Sequence, residues 1–490
     1  MDDKSPDLAR KALRGVPLSI AAYVAGRGLS VVGTLVLARL LAPEDIGLVL
    51  TGVLVNIALN TLTDSGFGLT LVVLPELTER MIGTVLSCVL VISALVTAVA
   101  VAGSGVIATA FNQPRLEEIM PWLALAIPFS SLNWFFSNLL QRDLYFGRRF
   151  AGQFALAAGY VAVAIPAAIW GAGVWALVAG QLAGALLSAL VGWAVTPRRV
   201  RLRFHLASAR EAFRTARAYL GQGIVSFLSE NLHLVAVAGL LGARPMALYS
   251  MSYRLTELPT KALAHPVSQA TFPAFAHMTS EQQARRRAML VSLRYVALGG
   301  LPLLATLAVL AGPFVEVVLG PDWDGMQGIL VILCVWGAFA VPGATMGWYV
   351  NALGGADWLA SVKFARVCVS GPAVFAAAAV TNSFQVVGWI LVVDAAAELA
   401  LLMWYAHRRL DIAYGDAWVA VRPVLGATLG LVLAAVLVRL GLSTTGVSGT
   451  VTLLLGTAAA LLSYLLVAAR VEPNLVPEGR RLLKGALSSS

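Results

Sequence analysis

The chain has 490 residues, of which 59 % are hydrophobic and 12 % charged, with a formal net charge of +10. Soluble domains average about 45–50 % apolar and about 25 % charged residues. This composition therefore excludes an ordinary soluble protein and reads as a polytopic membrane protein. The basic excess does not argue for a nucleic-acid partner, because the arginines sit beside the ends of apolar runs, where an anionic leaflet would face them.

The opening "MDDKSPDLARKALRG" is polar and charged, with no short apolar core and cleavage site behind it, so no removable signal peptide is predicted. A bilayer core takes about 20 apolar residues per helix. Fourteen such runs follow in order, at 16–41, 46–70, 81–110, 117–140, 150–170, 174–195, 218–242, 246–274, 289–319, 326–352, 358–380, 385–406, 420–440 and 448–469. With the N-terminus inside, the inside segments hold 26 of the 35 lysines and arginines. The outside loops hold four (Arg39, Arg115, Arg244 and Arg439), and five fall within spans. That asymmetry predicts both termini in the cytoplasm. Cys88, Cys334 and Cys368 are scattered through apolar runs and read as small buried hydrophobes.

The longest internal loop, 196–217, interleaves arginines with Phe204, Leu206, Ala209, Phe213 and Ala216 at helical spacing. This predicts an amphipathic helix on the inner membrane surface. The loop divides the chain into a lobe over 1–195, a linker over 196–217, a second lobe over 218–410 and two extra spans with a tail over 411–490. The two halves carry a weak repeat. "LARLLAPEDIGLVLTG" (37–52) aligns without gaps with "VAGLLGARPMALYSMS" (237–252), matching Ala38, Leu40, Leu41 and Leu48 to Ala238, Leu240, Leu241 and Leu248. An even number of spans per half makes the copies parallel, related by an axis along the membrane normal.

These stretches resemble bacterial oligosaccharide flippases of the multidrug/oligosaccharidyl-lipid/polysaccharide exporter superfamily, in its lipopolysaccharide-biosynthesis branch. The resemblance rests on "ARLLAPEDIGLV" (38–49), "TDSGFG" (63–68), "GAGVWALVAGQL" (171–182), "AGLLGARPMALYSMSYRLTELP" (238–259) and "TFPAFA" (271–276), and covers about residues 10–470. It implies an all-α integral membrane fold of about 14 transmembrane helices: two six-helix lobes with pseudo-two-fold symmetry, plus two C-terminal helices. The implied function is to flip undecaprenyl-pyrophosphate-linked repeat units from the cytoplasmic to the periplasmic leaflet of the inner membrane by alternating access. The implied partners are lipid-linked oligosaccharide, membrane lipids, a glycan polymerase and other assembly proteins. No cofactor, metal or enzymatic step is expected, and GxxxxGK[ST], HExxH and GxSxG are absent. Alternatives are a drug/cation antiporter of the same superfamily, or a membrane glycan polymerase.

A charge within a span costs about 2.5–3.5 kcal/mol on insertion scales, so the intramembrane ionisable residues are candidate sites. Arg27, Arg254 and Lys261 are candidate ligands for an anionic pyrophosphate, which suits the forked guanidinium. Arg254, Glu257, Lys261 and His265 share one helix face, so Arg254–Glu257 is equally a structural pair, and an internal ion pair is open for Arg27 as well. Asn56, Asn60 and Asp64, at steps of four, form one polar stripe. It lines a cavity or bonds a neighbouring helix. Glu230 is a candidate ion-coupling acid or a static salt-bridge partner. Lys363, Arg366, Asp394 and Glu398 lie on antiparallel spans, and the matched depth of Arg366 and Glu398 predicts a structural ion pair. Trp134, Trp348 and Tyr349 stack on sugars or anchor at the interface.

Overall fold

In the computed structural model the described residues are 26, 28–73, 77–143, 145–260, 282–410, 412–443 and 448–471; among them there are helices and connecting segments and no strand. Among the described residues twelve helices are long and apolar enough to cross a membrane. They correspond to twelve of the fourteen predicted spans. The other two, 16–41 and 246–274, fall partly outside the described residues and are represented by the helices Gly28–Leu40 and Ala243–Pro259. The chain divides into two compact units after Ala247.

The first unit begins with α1 (Gly28–Leu40) and, after a break at Leu41 and Ala42, α2 (Pro43–Val73). Pro43 opens α2 where its missing N–H has no carbonyl to serve, and Glu44 and Asp45 complement the positive end of the helix dipole. Helix α3 (Glu79–Ala102) is capped by Thr78, whose Oγ1 accepts from the Met81 amide, and continues past Gly103 into α4 (Ser104–Ala110). The predicted span 117–140 is two helices, α5 (Leu116–Ala124) and α6 (Ala126–Arg142), broken at Leu125. Pro128 has no N–H to give the Ala124 carbonyl, which explains a break there. Helices α7 (Phe146–Ile169) and α8 (Val174–Val195) form a tight hairpin. A Cβ on Gly184 would lie 2.7 Å from the Leu156 carbonyl oxygen, so the glycine permits a backbone approach that no larger residue allows.

Helix α9 (Leu206–Ala236) differs from expectation. The sequence predicted a separate surface helix over 196–217. Instead 199–205 is an extended strap, and Leu206 opens a single 31-residue helix that runs on into the seventh span. Alanine and arginine are strong helix formers and no proline separates the basic stretch from the apolar one; Gly221 and Gly223 at the junction lower the propensity without ending the helix. The strap is held on α3: the Ser87 hydroxyl donates to the Arg203 carbonyl (3.2 Å) and the His205 amide to Thr84 Oγ1 (3.2 Å). Arg198 makes a two-bonded pair with Asp143 at 3.0 Å. Ala209, Ala212 and Ala216 pack into a core with Phe135, Leu139, Val85 and Ile82, whereas Phe204 and Phe213 are exposed. Because α9 packs along α2 and α3, it belongs to the first compact unit. A five-residue π-turn (Val237–Leu241) and Gly242, at φ +90°, lead to α10 (Ala243–Pro259).

The second unit takes the rest of α10 and then α11 (Gln282–Val309), α12 (Ala311–Phe314), α13 (Met326–Ala352), α14 (Ala356–Thr381), α15 (Phe384–Leu410), α16 (Tyr414–Ser443) and α17 (Gly449–Val471). Helix α13 packs on α15 and α11, and the last two spans attach through α11. Three polar contacts hold them there. Tyr464 donates to the Leu298 carbonyl (2.7 Å), Arg439 to the Val309 carbonyl (2.8 Å), and Arg286 pairs with Asp416, which also caps the Ala413 amide. Helix α14 is peripheral, with Phe364, Val369 and Val380 exposed; Cys368 is exposed there too, against the expectation of a buried thiol.

Candidate functional site

The polar stripe of α2 is turned toward α5 and α6. Asn56 is buried, and its Nδ2 donates to the Leu123 carbonyl at 2.7 Å. That carbonyl lies at the α5–α6 break, beside the Ala124 carbonyl, which accepts from Thr97 (3.4 Å). The interruption of a membrane helix is thus satisfied by side chains, as apolar surroundings require. Two turns further along α2, Thr63 is the hub of a small oxygen cluster. Its Oγ1 lies 2.9 Å from the Asn60 carbonyl oxygen, 3.0 Å from Asp64 Oδ1 and 3.1 Å from Ser131 Oγ of α6. The Trp134 indole donates to the Asp64 backbone carbonyl (3.3 Å). The side-chain oxygens of Asn56 and Asn60 are buried without a hydrogen-bond partner.

At the opposite end of α2, charges pair across the first residues of α2, α5 and α10. Glu44 accepts from Arg244 at 2.7 Å and Asp45 from Arg115 at 3.0 Å. Glu44 and Arg244 occupy the same position of the internal repeat, 200 residues apart, and the chain breaks before both, at Ala42 and at Gly242. A Cβ on Gly47 would fall 1.8 Å from the Ala243 carbonyl oxygen, so the two helix starts touch backbone to backbone. Beneath them, buried Gln113 donates to the Ala238 carbonyl (2.9 Å).

On α10, Ser252 and Thr256 are fully packed and their hydroxyls bond back to the Leu248 and Ser252 carbonyls. Arg254 lies off this buried face and is exposed, with Glu257 half-buried one turn on; both are engaged in contacts. Arg27 and Lys261, like His265, lie outside the described residues. Glu230 is exposed on α9 and also engaged. In the second unit Arg366 of α14 bridges two acids of α15, pairing with both Asp394 and Glu398. Lys363 is half-buried and joins no ion pair among the described residues. Tyr349 is buried, its hydroxyl 2.6 Å from Ser292 Oγ, and so is a core residue. Trp134 is partly exposed and Trp348 half-buried.

The sequence matches the family model described as "Polysaccharide biosynthesis protein" over residues 36–327, more than half of the chain. The chain belongs to this polysaccharide biosynthesis family. Among its relatives, the lipopolysaccharide biosynthesis protein WzxC of Escherichia coli (strain K12) is 25 % identical over 342 residues, covering 69 % of this chain and 70 % of that protein. The succinoglycan biosynthesis transport protein ExoT of Rhizobium meliloti (strain 1021) is 23 % identical over 479 residues, covering 97 % and 95 %. Among solved structures, the lipid II flippase MurJ in an inward closed conformation aligns with a TM-score of 0.77 at 11 % identity, over 94 % of this chain and 99 % of that one. An inward-facing multidrug resistance MATE transporter of the MOP superfamily aligns with a TM-score of 0.60 at 14 % identity, over 82 % and 98 %. At such identities the likeness shows the fold, and the cargo has to be argued from the residues.

Two features of this family member escaped sequence reasoning. The Thr63–Ser131 contact carries no signal, because hydroxyls are common in membrane helices. The Glu44–Arg244 pair had one, opposite charges at equivalent repeat positions.

Proposed function

We propose that this family member is a transporter, not an enzyme, that moves a lipid-linked oligosaccharide across the bacterial cytoplasmic membrane from the cytoplasmic to the periplasmic leaflet, for exopolysaccharide or lipopolysaccharide synthesis. The observation that carries this reading is the family match over residues 36–327 on a fold shared with a lipid II flippase. The cargo lipid is an undecaprenyl pyrophosphate. Its tail needs only the bilayer, but its head must cross about 30 Å of hydrocarbon. That crossing needs a protein path with fixed cations. Arg27, Arg254 and Lys261 supply them, and Glu257 orients Arg254. An anionic head favours this over the cation-antiporter alternative.

The path opens by alternating access of two lobes, 1–195 and 218–410, joined through 196–217 and followed by two further spans, with both termini in the cytoplasm. In this reading Glu44 and Arg244, which pair at equivalent repeat positions, belong to the periplasmic mouth and part when it opens. Glu230 is a second acid available for coupling. A glycan polymerase and other assembly proteins receive the product.

The test is flipping of a fluorescent polyprenyl-pyrophosphate oligosaccharide in vesicles holding the full chain. Arg254→Ala is expected to slow it at least about tenfold, the equivalent of about 1.4 kcal/mol. Arg254→Lys should recover part of the rate, since an ammonium keeps the charge but loses the fork. Wild-type rates in Arg254→Ala would remove Arg254 from the path.

A further inference from the structure

The oxygen cluster at Thr63 contains more close contacts than hydrogens to fill them. Three oxygens, the Asn60 carbonyl, Asp64 Oδ1 and Ser131 Oγ, lie 2.9–3.1 Å from Thr63 Oγ1, all within hydrogen-bond distance. If Asp64 is a carboxylate, only the two hydroxyls carry a hydrogen. Ser131 donates to Thr63 or to Asp64. Thr63 then serves either the Asn60 carbonyl or Asp64, and at least one remaining contact is a bare oxygen–oxygen approach. One proton on Asp64 completes the set. The acid O–H donates to Thr63 Oγ1, the Thr63 hydroxyl donates to the Asn60 carbonyl, and Ser131 donates to the second lone pair of Thr63.

The surroundings favour the neutral acid as well. Thr63 and Ser131 are fully buried. Among the described residues Asp64 has no cationic partner. Of the helices packed against α2, α8 carries no titratable group, and α6 carries only Arg142, at its end, where it donates to the Leu71 carbonyl (2.8 Å). The acids of α5, Glu117 and Glu118, stand in that helix's first turn. On α3 the groups are Glu79, Arg80 and buried Cys88. On α9 they are Arg210, Glu211, Arg214, Arg217 and Tyr219 in its first half, then exposed Glu230 and buried His233. An unpaired carboxylate among such buried groups is disfavoured by desolvation, which the neutral acid avoids.

We infer that Asp64, with Thr63 and Ser131, is a proton-binding site, and that taking up and releasing its proton couples transport to a proton gradient. The step is –COO⁻ plus H⁺ giving –COOH, with water as the source and sink. Release removes the hydrogen that ties Asp64 to Thr63 and leaves a charge in the α2–α6 seam, so the seam opens to water; uptake closes it. Helix α2 also carries Glu44, so the proton acts on the helix that closes the mouth. The coupling role rests on the flippase reading, whereas the proton-binding site does not.

Two measurements separate them. Infrared difference spectra of the full chain in lipid nanodiscs, recorded across pH, should show a protonated-carboxyl band at neutral pH. That band should vanish in Asp64→Asn, whose amide can donate to Thr63 as the acid does, and shift in Thr63→Val. Identical carboxyl bands in wild type and Asp64→Asn would overturn the site, and would also show that a three-centre bond from Thr63 satisfies the cluster. In vesicles, an imposed pH gradient should accelerate flipping by the wild type, and Asp64→Asn should lose that acceleration. Acceleration by a sodium gradient with no response to pH would overturn the coupling. A wild-type chain that keeps the band but flips nothing would overturn the flippase reading and leave the proton site standing.

Discussion

Asp64 in the first unit and Asp394 in the second are both acidic side chains on long apolar helices, yet their surroundings solve opposite problems. Asp394 shares with Glu398 the guanidinium of Arg366, so its charge is matched inside the protein. Asp64 Oδ1 lies against the Thr63 hydroxyl, which also meets Ser131, and meets no cation among the described residues; in the proposal above a proton matches its charge. A membrane interior tolerates an acid by either route. The first route fixes a structure, because removing one partner strands the others. The second leaves a group whose state can change during work.

Removing the cation should break this comparison most visibly. Arg366→Met strands two acids and is expected to lower stability by about 3–5 kcal/mol, the usual cost of halving a buried pair. Thermal unfolding of the purified chain in detergent checks it, and adding Asp394→Asn with Glu398→Gln should return much of the loss. A smaller effect separates the two acids directly. Asp394→Asn gives up a charge-assisted bond and should cost about 1.5–3 kcal/mol. Asp64→Asn keeps the hydrogen that the neutral acid carries and should unfold within about 0.5 kcal/mol of wild type at neutral pH. Equal costs for the two variants would erase the distinction. The smallest effect belongs to a pair that faces solvent. Glu44→Gln or Arg244→Gln should change stability by no more than about 1 kcal/mol, and high salt should mask even that. A charge-reversed double variant, Glu44→Arg with Arg244→Glu, should behave as wild type in the flipping assay if the pair works by attraction alone.

Much of this fold was legible because a bilayer imposes a length and a polarity on every crossing. Most of the twelve long helices of the described residues begin and end close to the apolar runs, α9 starting twelve residues early and α11 ending ten residues early, and the internal repeat marked equivalent chain breaks at Ala42 and Gly242. Less legible was anything set by helix continuity or rotation. Nothing in "FHLASAREAFRTARAYLGQG" tells a surface helix from the first turns of a crossing one, so α9 emerged longer than expected. The stripe of Asn56, Asn60 and Asp64 was visible as a period of four, but which neighbour it faces depends on how α5 and α6 bend around Pro121 and Pro128. The grouping of Arg366 with Asp394 and Glu398 could be read from their depth on an antiparallel hairpin, whereas the way one guanidinium serves both acids needed the side-chain geometry.

The central claim is that this family member carries a pyrophosphate-linked oligosaccharide across a bilayer. The direct measurement is the fraction of such a lipid that a membrane-impermeant lectin can reach in sealed vesicles loaded on one leaflet, with and without the full chain. The account predicts that the chain raises this fraction over time, faster with an imposed pH gradient. No change in that fraction, with the protein folded and inserted, would contradict it.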